Sequence, residues 1–201
     1  MCGIAGWVGL EGEEHTLRAM TDILSHRGPD GEGQVILPLG RDLTAGFGHR
    51  RLSIIDLNTG DQPMTSHDGR FTIVFNGEIY NYLELSDELR AHGAVLLTQS
   101  DNDVILAAWR AWGAECLAKF RGMFAFALHD QTDGSVVLAR DPFGKKPVFY
   151  AAIPQAQGEG IIFGSEIPAL LAHPAVRADL DLDSLQDYLC WRYVPAPNTF
   201  F

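Results

Sequence analysis

The sequence predicts an α+β fold of stacked layers, and three observations carry that prediction. Strand-like segments fall into two groups, one before residue 80 and one after residue 122, with two helical segments between them in the chain. Short turns rich in Gly, Asp and Asn join the strands within each group, which implies antiparallel pairing. There is no repeating strand-helix-strand alternation, so two sheets and a helix pair are best buried as layers.

The first element is the apolar stretch Gly3 to Gly9, read as a strand. "EEHTLRAMTDILSHR" then places Leu17, Met20 and Leu24 on one helical face, with Ile23 beside them, and the helix should end before "GPDGEG". Extended segments around 34–39, 45–55 and 71–76 follow, rich in Val, Ile, Phe and Thr. A helix over 80–92 stops at Gly93. A second, over 102–112, has a capping-box pattern in Ser100 and Asp103, a stripe of Val104, Ala108 and Trp112, and a stop at Gly113. "MFAFALHD" and "SVVLARD" read as strands joined at Asp133-Gly134, followed by the strands "PVFYAAI" and "GIIFGSE". A last helix in "LDLDSLQDYLCWRYVPAPNTFF" breaks at Pro195 and Pro197, and this apolar end reads either as a cut inside a longer protein or as a natural tail.

Composition narrows the function classes. An apolar content of 46% in 201 residues buries a real core. Fifteen Lys+Arg against twenty-six Asp+Glu give a net charge of -11. Nucleic acid and anionic membrane surfaces are therefore poor partners, because such binding needs clustered basic residues. Cysteines at 2, 116 and 190 form no CxxC pair and suit a reducing compartment, so a cytoplasmic location is expected. Cys116 and Cys190 have apolar helical neighbours and are expected to be inert core thiols. "MCGIAGWVGL" has no basic region before it and reads as a mature N-terminus and not a signal peptide. Histidine spacing offers no zinc motif, and no phosphate-binding or GxSxG motif is complete.

The remaining polar clusters sit at strand ends beside glycines, where a scaffold presents a site. If Met1 is removed, Cys2 carries a thiol and a free α-amine on one residue. That amine has a reference pKa of about 7.7–8.0, so its neutral fraction can activate the thiol. A carbonyl attacked by the thiolate needs oxyanion donors, and Asn76 with the N–H of Gly77 offers them. A substrate carboxylate needs a guanidinium, for which Arg51 is a candidate, and an ammonium needs carboxylates, for which Glu78 and Asp101 are candidates. Each has a plainer reading. Arg50-Arg51 could be solvated, although strand alternation lets at most one of the two reach a pocket; Asn76-Gly77 is a common hairpin signal; Asp101 could cap a helix; the lysines of "DPFGKKP" could be solvated.

Together "MCGIAG", "HRGPDGEG", "GHRRLSIIDL", "GDQPM", "FNGEIYN", "SDNDVIL", "RGMFAFALHD", "LARDPFGKKPVFY" and "FGSEIPALL" resemble, in order and over almost the whole chain, the glutaminase domain of glutamine-dependent asparagine synthetases. These are class II glutamine amidotransferases. The "GHRRLSIIDL" and "GDQPM" block favours that branch over sugar amidotransferases and glutamate synthases. The resemblance implies a four-layer αββα sandwich of N-terminal nucleophile hydrolases, with a glutaminase domain over 1–185 and the start of a linker to an absent C-terminal synthetase domain over 186–201. It implies Cys2 as nucleophile, Asn76 and Gly77 as oxyanion hole, Arg51 on the glutamine carboxylate, and Glu78 and Asp101 on its amino group. Leu52 and Ile54 would line the glutamine pocket, and "HRGPDG" would be a loop at the site. The implied activity is hydrolysis of glutamine to glutamate and ammonia through a cysteinyl thioester. No metal or cofactor is expected here; ATP and Mg belong to the synthetase domain, the expected partner. The amide product and the oligomeric state, a homodimer included, stay open. The competing reading is a catalytically silent docking module of the same fold.

Overall fold

The computed structural model describes residues 1–40, 42–53, 60–155 and 158–201. One sheet has five strands: β1 (Gly3–Leu10), β2 (Gly31–Gly40), β3 (Leu43–Arg51), β8 (Phe149–Gln155) and β9 (Gly158–Gly164), in the order β2-β3-β1-β9-β8. The other has four: β4 (Met64–Thr65), β5 (Phe71–Ile79), β6 (Gly122–Asp130) and β7 (Ser135–Arg140), in the order β4-β5-β6-β7. Every pairing in both is antiparallel.

Three apolar clusters show that these sheets and four of the helices form four layers. Trp7, Ala5 and Ile162 of the first sheet pack on Leu17 and Met20 of α1 (Glu14–Asp22) and Ala169 of α4 (Ile167–Leu171). Phe71, Ile73, Phe124 and Phe126 of the second sheet pack on Leu85 of α2 (Tyr82–Ala91) and Val104 of α3 (Asp101–Trp112). Between the sheets lie Ile4, Phe47, Val74, Ala125 and Phe163. Strand period two explains the division, since neighbours such as Ile4 and Ala5 serve opposite faces. Burying a Phe or Ile here contributes roughly 1.5–3 kcal/mol each.

Most predicted elements stand, with shifted ends. The first helix stops at Asp22, and residues 23–27 continue as turns. The strand expected over 45–55 is β3, which ends at Arg51. β5 runs on to Ile79, past Asn76-Gly77, so that pair lies inside a strand opposite Ala125 and Phe124 and not in a hairpin turn. Ser100 caps α3 by accepting from Asp103 N at 3.4 Å. Asp133-Gly134 makes the β6–β7 turn, with Gly134 at φ 72°. α5 (Leu182–Trp191) crosses the expected boundary at 185/186. Its one buried residue is Ser184, so Cys190 is exposed and is not a core thiol. Cys116 is buried, and burial pushes its thiol up to about 12.

Candidate active site

The alternation that fills the space between the sheets also furnishes its open end. On β3, Ala45, Phe47 and His49 face inward, and Arg51 is the next residue of that row. On β5, Val74 faces inward and Asn76 and Glu78 continue its row; before β1, Cys2 continues the row of Ile4. A cleft of about 240 Å³ opens where these rows end, and Cys2, Arg51, Leu52, Asn76, Gly77, Glu78 and Asp101 all line it. Seven of the eight predicted site residues therefore meet; Ile54 lies outside the described residues.

The Cys2 thiol sits against the end of β3. Leu52 N donates to Sγ at 3.4 Å, and the thiol donates to Leu52 O at 3.7 Å. The "HRGPDG" loop fixes both sides of this contact. Arg27 Nε donates to Cys2 O at 3.0 Å while its Nη1 pairs with Glu166 at 2.7 Å. Asp30 N donates to Arg51 O at 3.0 Å, and its carboxylate accepts from Ser53 N at 2.8 Å. Gly28 is needed for this approach, because a Cβ there would lie 2.4 Å from the Arg50 carbonyl carbon.

Asn76 is 1% exposed, and neither its amide nitrogen nor its oxygen has a partner among the described residues. Buried amides are almost always satisfied, so this one is set for a ligand. The Gly77 N–H belongs to the same place by backbone geometry. Tyr80 N donates toward β6, to Arg121 O, whereas Phe75 N donates the other way to Gln62 Oε1 at 2.6 Å and Ile79 N to Asp101 Oδ2 at 3.1 Å. Alternation puts the Gly77 N–H on the edge shared by Phe75 and Ile79, beyond the reach of the two-residue β4. A side chain at 77 would meet Met123 O at 2.2 Å, so only glycine lets β6 close on this strand.

The charges are arranged in two groups. Arg51, 9% exposed, extends Nη1 to Asp61 at 2.9 Å, and Arg50 on the opposite face pairs with Asp22 and Glu32. Across the cleft Asp101 opens α3, and burial raises its carboxyl to about 6, with the Glu78 charge adding to the effect. Two carboxylates that repel one another in this way make a receptor for one ammonium group. Farther in, burial pushes His49 down to about 3 and keeps it neutral.

The sequence did not single out Gln62 or Lys146. Gln62 is 8% exposed, lines the cleft and anchors the strand next to Asn76; its only sign was its place in "GDQPM". The expectation of solvated lysines in "GKKP" divides: Lys145 is exposed, whereas Lys146 is 5% exposed and lines the cleft. Among the described residues no group of three His, Cys, Asp or Glu side chains could hold a metal ion. The arrangement offers a thiol, two amide donors, a guanidinium and a carboxylate pair around one cleft.

Known proteins are similar to this chain in sequence and in fold. The model of the glutamine amidotransferase domain matches residues 1–201. Asparagine synthetase [glutamine-hydrolyzing] 1 of Bacillus subtilis is 39% identical over 99% of this chain and 31% of that protein. Asparagine synthetase [glutamine-hydrolyzing] 3 of the same organism is 40% identical over 93% of this chain and 30% of its own length. The chain thus spans less than a third of the length of these two relatives. The solved structure of glutamine phosphoribosylpyrophosphate amidotransferase from B. subtilis superposes with a TM-score of 0.70 at 21% identity, covering 87% of this chain and 44% of that one, and so shares the fold. With two antiparallel sheets between helix layers and the family match running from end to end, this chain belongs to the glutamine amidotransferase domain family.

Proposed function

We propose that this domain, once Met1 is removed, hydrolyses the side-chain amide of glutamine and supplies the ammonia to an asparagine synthetase-type domain in the same polypeptide. The observation that carries the reading is the unpartnered Asn76 amide beside the open Gly77 edge, in the cleft that also holds Cys2. Arg51 takes the glutamine α-carboxylate, Glu78 and Asp101 take its ammonium, and the Leu52 backbone lines the pocket beside the thiol. The Cys2 α-amine accepts the thiol proton, and Sγ bonds to the amide carbon. Asn76 and Gly77 hold the oxyanion. The amide nitrogen leaves as ammonia with the relayed proton, which leaves a γ-glutamyl thioester. Water then adds to the thioester carbon, the C–S bond breaks, and glutamate departs with the thiol restored.

In this reading residues 1–185 are the glutaminase unit, and 186–201 begin the linker to the synthetase domain. The near absence of burial along α5, which runs across that division, fits a segment leaving the glutaminase unit. ATP and Mg act in that other domain, which also decides whether asparagine or another amide is made. The three free cysteines support a cytoplasmic setting. The second reading, a silent docking module, is disfavoured by the convergence of seven predicted site residues.

The test is intact mass before and after exposure to a glutamine-mimicking diazoketone, with peptide mapping and a Cys2→Ala control. One adduct on Cys2 of a chain lacking Met1, together with glutamate release that Cys2→Ala abolishes, is expected. An unlabelled Cys2 in a processed chain that releases no glutamate would leave the docking module.

A further inference from the structure

We infer that Lys146 is a further residue of this site, a cation that answers the negative charge formed at the reacting end of the substrate. The inference rests on the glutamine reading above and adds to it a residue that sets turnover and product retention.

The starting observation is a lysine in the wrong place. Lys146 is 5% exposed, yet its ammonium has no carboxylate or carbonyl partner among the described residues, and it lines the Cys2 cleft. Lysine is rarely this buried unless it is paired, so its counter-charge is expected to arrive with a ligand.

Its position is also built. The Asp141 carboxylate accepts from Phe143 N at 3.1 Å, Lys145 N at 3.0 Å, Lys146 N at 3.0 Å and, from the sheet, Phe124 N at 3.2 Å. The Arg140 guanidinium holds the loop from outside, donating to Gly144 O at 2.6 Å and Lys146 O at 2.9 Å. Phe124 is the register partner of Gly77. One carboxylate thus ties the Lys146 backbone to the strand position opposite the oxyanion donor. Arg51, the other cation lining the cleft, stands on the other sheet and is braced by Asp61.

The charge inventory then assigns the role. The α-carboxylate of glutamine has Arg51, and its ammonium has Glu78 and Asp101. The neutral carboxamide makes no demand on a cation. Once sulfur adds to the amide carbon, the oxygen carries a full negative charge, and after hydrolysis glutamate keeps one on its γ-carboxylate. A cation near Gly77 interacts weakly with the substrate and strongly with the transition state and the product, so it raises kcat more than it lowers KM.

The experiment uses the Met1-free protein with Lys146→Met and Lys146→Arg. Lys146→Met should lower kcat about tenfold with KM within about twofold, and should raise the inhibition constant of glutamate about tenfold. Lys146→Arg should recover most of both effects. The thermal midpoint of Lys146→Met should not fall, because the ammonium removed makes no ion pair within the described residues. An equal weakening of glutamine and glutamate would make Lys146 a general carboxylate clamp, and no change in either would make it a bystander; both overturn the inference. Glutamate binding by calorimetry needs no turnover. If the parent releases no glutamate, the glutaminase reading fails by itself, and unchanged glutamate binding in Lys146→Met then overturns this one as well.

Discussion

At one end of the four-stranded sheet, where Phe71 faces Asp130, Arg70 grips the Asp130 carboxylate through Nε at 2.9 Å and Nη2 at 2.6 Å, and Arg110 pairs with Asp68 nearby. At the other end, where Ile79 faces Gly122, Asn76 has no partner and Lys146 no counter-ion among the described residues. The two aspartates register the difference. Hydrogen bonding from Arg70 lowers Asp130 to about 2, whereas burial raises Asp101 to about 6. The same side chain is stabilised as an ion on β6 at one end of the sheet and held at a disadvantage at the start of α3 beside the other. The Arg70–Asp130 pair is closed scaffold, whereas the partnerless Asn76 amide lines the cleft, where a ligand can supply what is missing.

The strongest way to break this contrast is to remove the orphaned amide. Asn76→Ala should cut kcat by about 10²–10³-fold with the circular dichroism spectrum unchanged; a smaller loss would deny it the oxyanion. Next comes the clamp. Arg51→Ala should raise KM for glutamine by about tenfold or more with a lesser change in kcat, and an unchanged KM would remove Arg51 from the carboxylate.

Asp101 allows both ends of the comparison to be read in one variant. Its carboxyl is raised from 3.8 to about 6 by folding, so its contribution to stability is full below about pH 4 and is lost as pH rises through about 6. Asp101→Asn should therefore raise the thermal midpoint at pH 7.5, lose that advantage at pH 4, and weaken glutamine several-fold. Unfolding scans at the two pH values and a KM measurement check the three parts together. The smallest effect on activity belongs to the satisfied end. Arg70→Ala should leave kcat/KM within about twofold, because nothing it touches lines the cleft. It should also lower the midpoint at pH 7. That penalty should fade as pH falls from about 4 through about 2, below which Asp130 is protonated in either protein. A changed kcat/KM would show that the two ends are coupled.

Much of this contrast is visible in the amino-acid order, for a physical reason. Period-two alternation makes Ile4, Phe47 and Val74 an inner row, and the polar residues that extend those rows can only stand at its mouth. Asn76-Gly77 was ambiguous because the same dipeptide serves a turn or a strand, and only its partners Ala125 and Phe124 decide between them. Lys146 was illegible because its burial depends on the Asp141 carboxylate gathering four amide groups from two segments. α4 and β4, at five and two residues, are too short to display a period. Cys190 looked like core because α5 is apolar, and the chain around it offers that helix almost nothing to pack against.

Cys2 leads into β1 of one sheet, and Asn76 and Gly77 belong to the other. The span between them is therefore set by what fills the gap: Phe47 edge-on to Phe163 at 6.0 Å, with Val74, Ala125 and Ala127 beneath. Those side chains act as a calibrated spacer between the jaws of a tool. Trimming one would misalign the jaws, and turnover would suffer while most of the fold's stability was still in place.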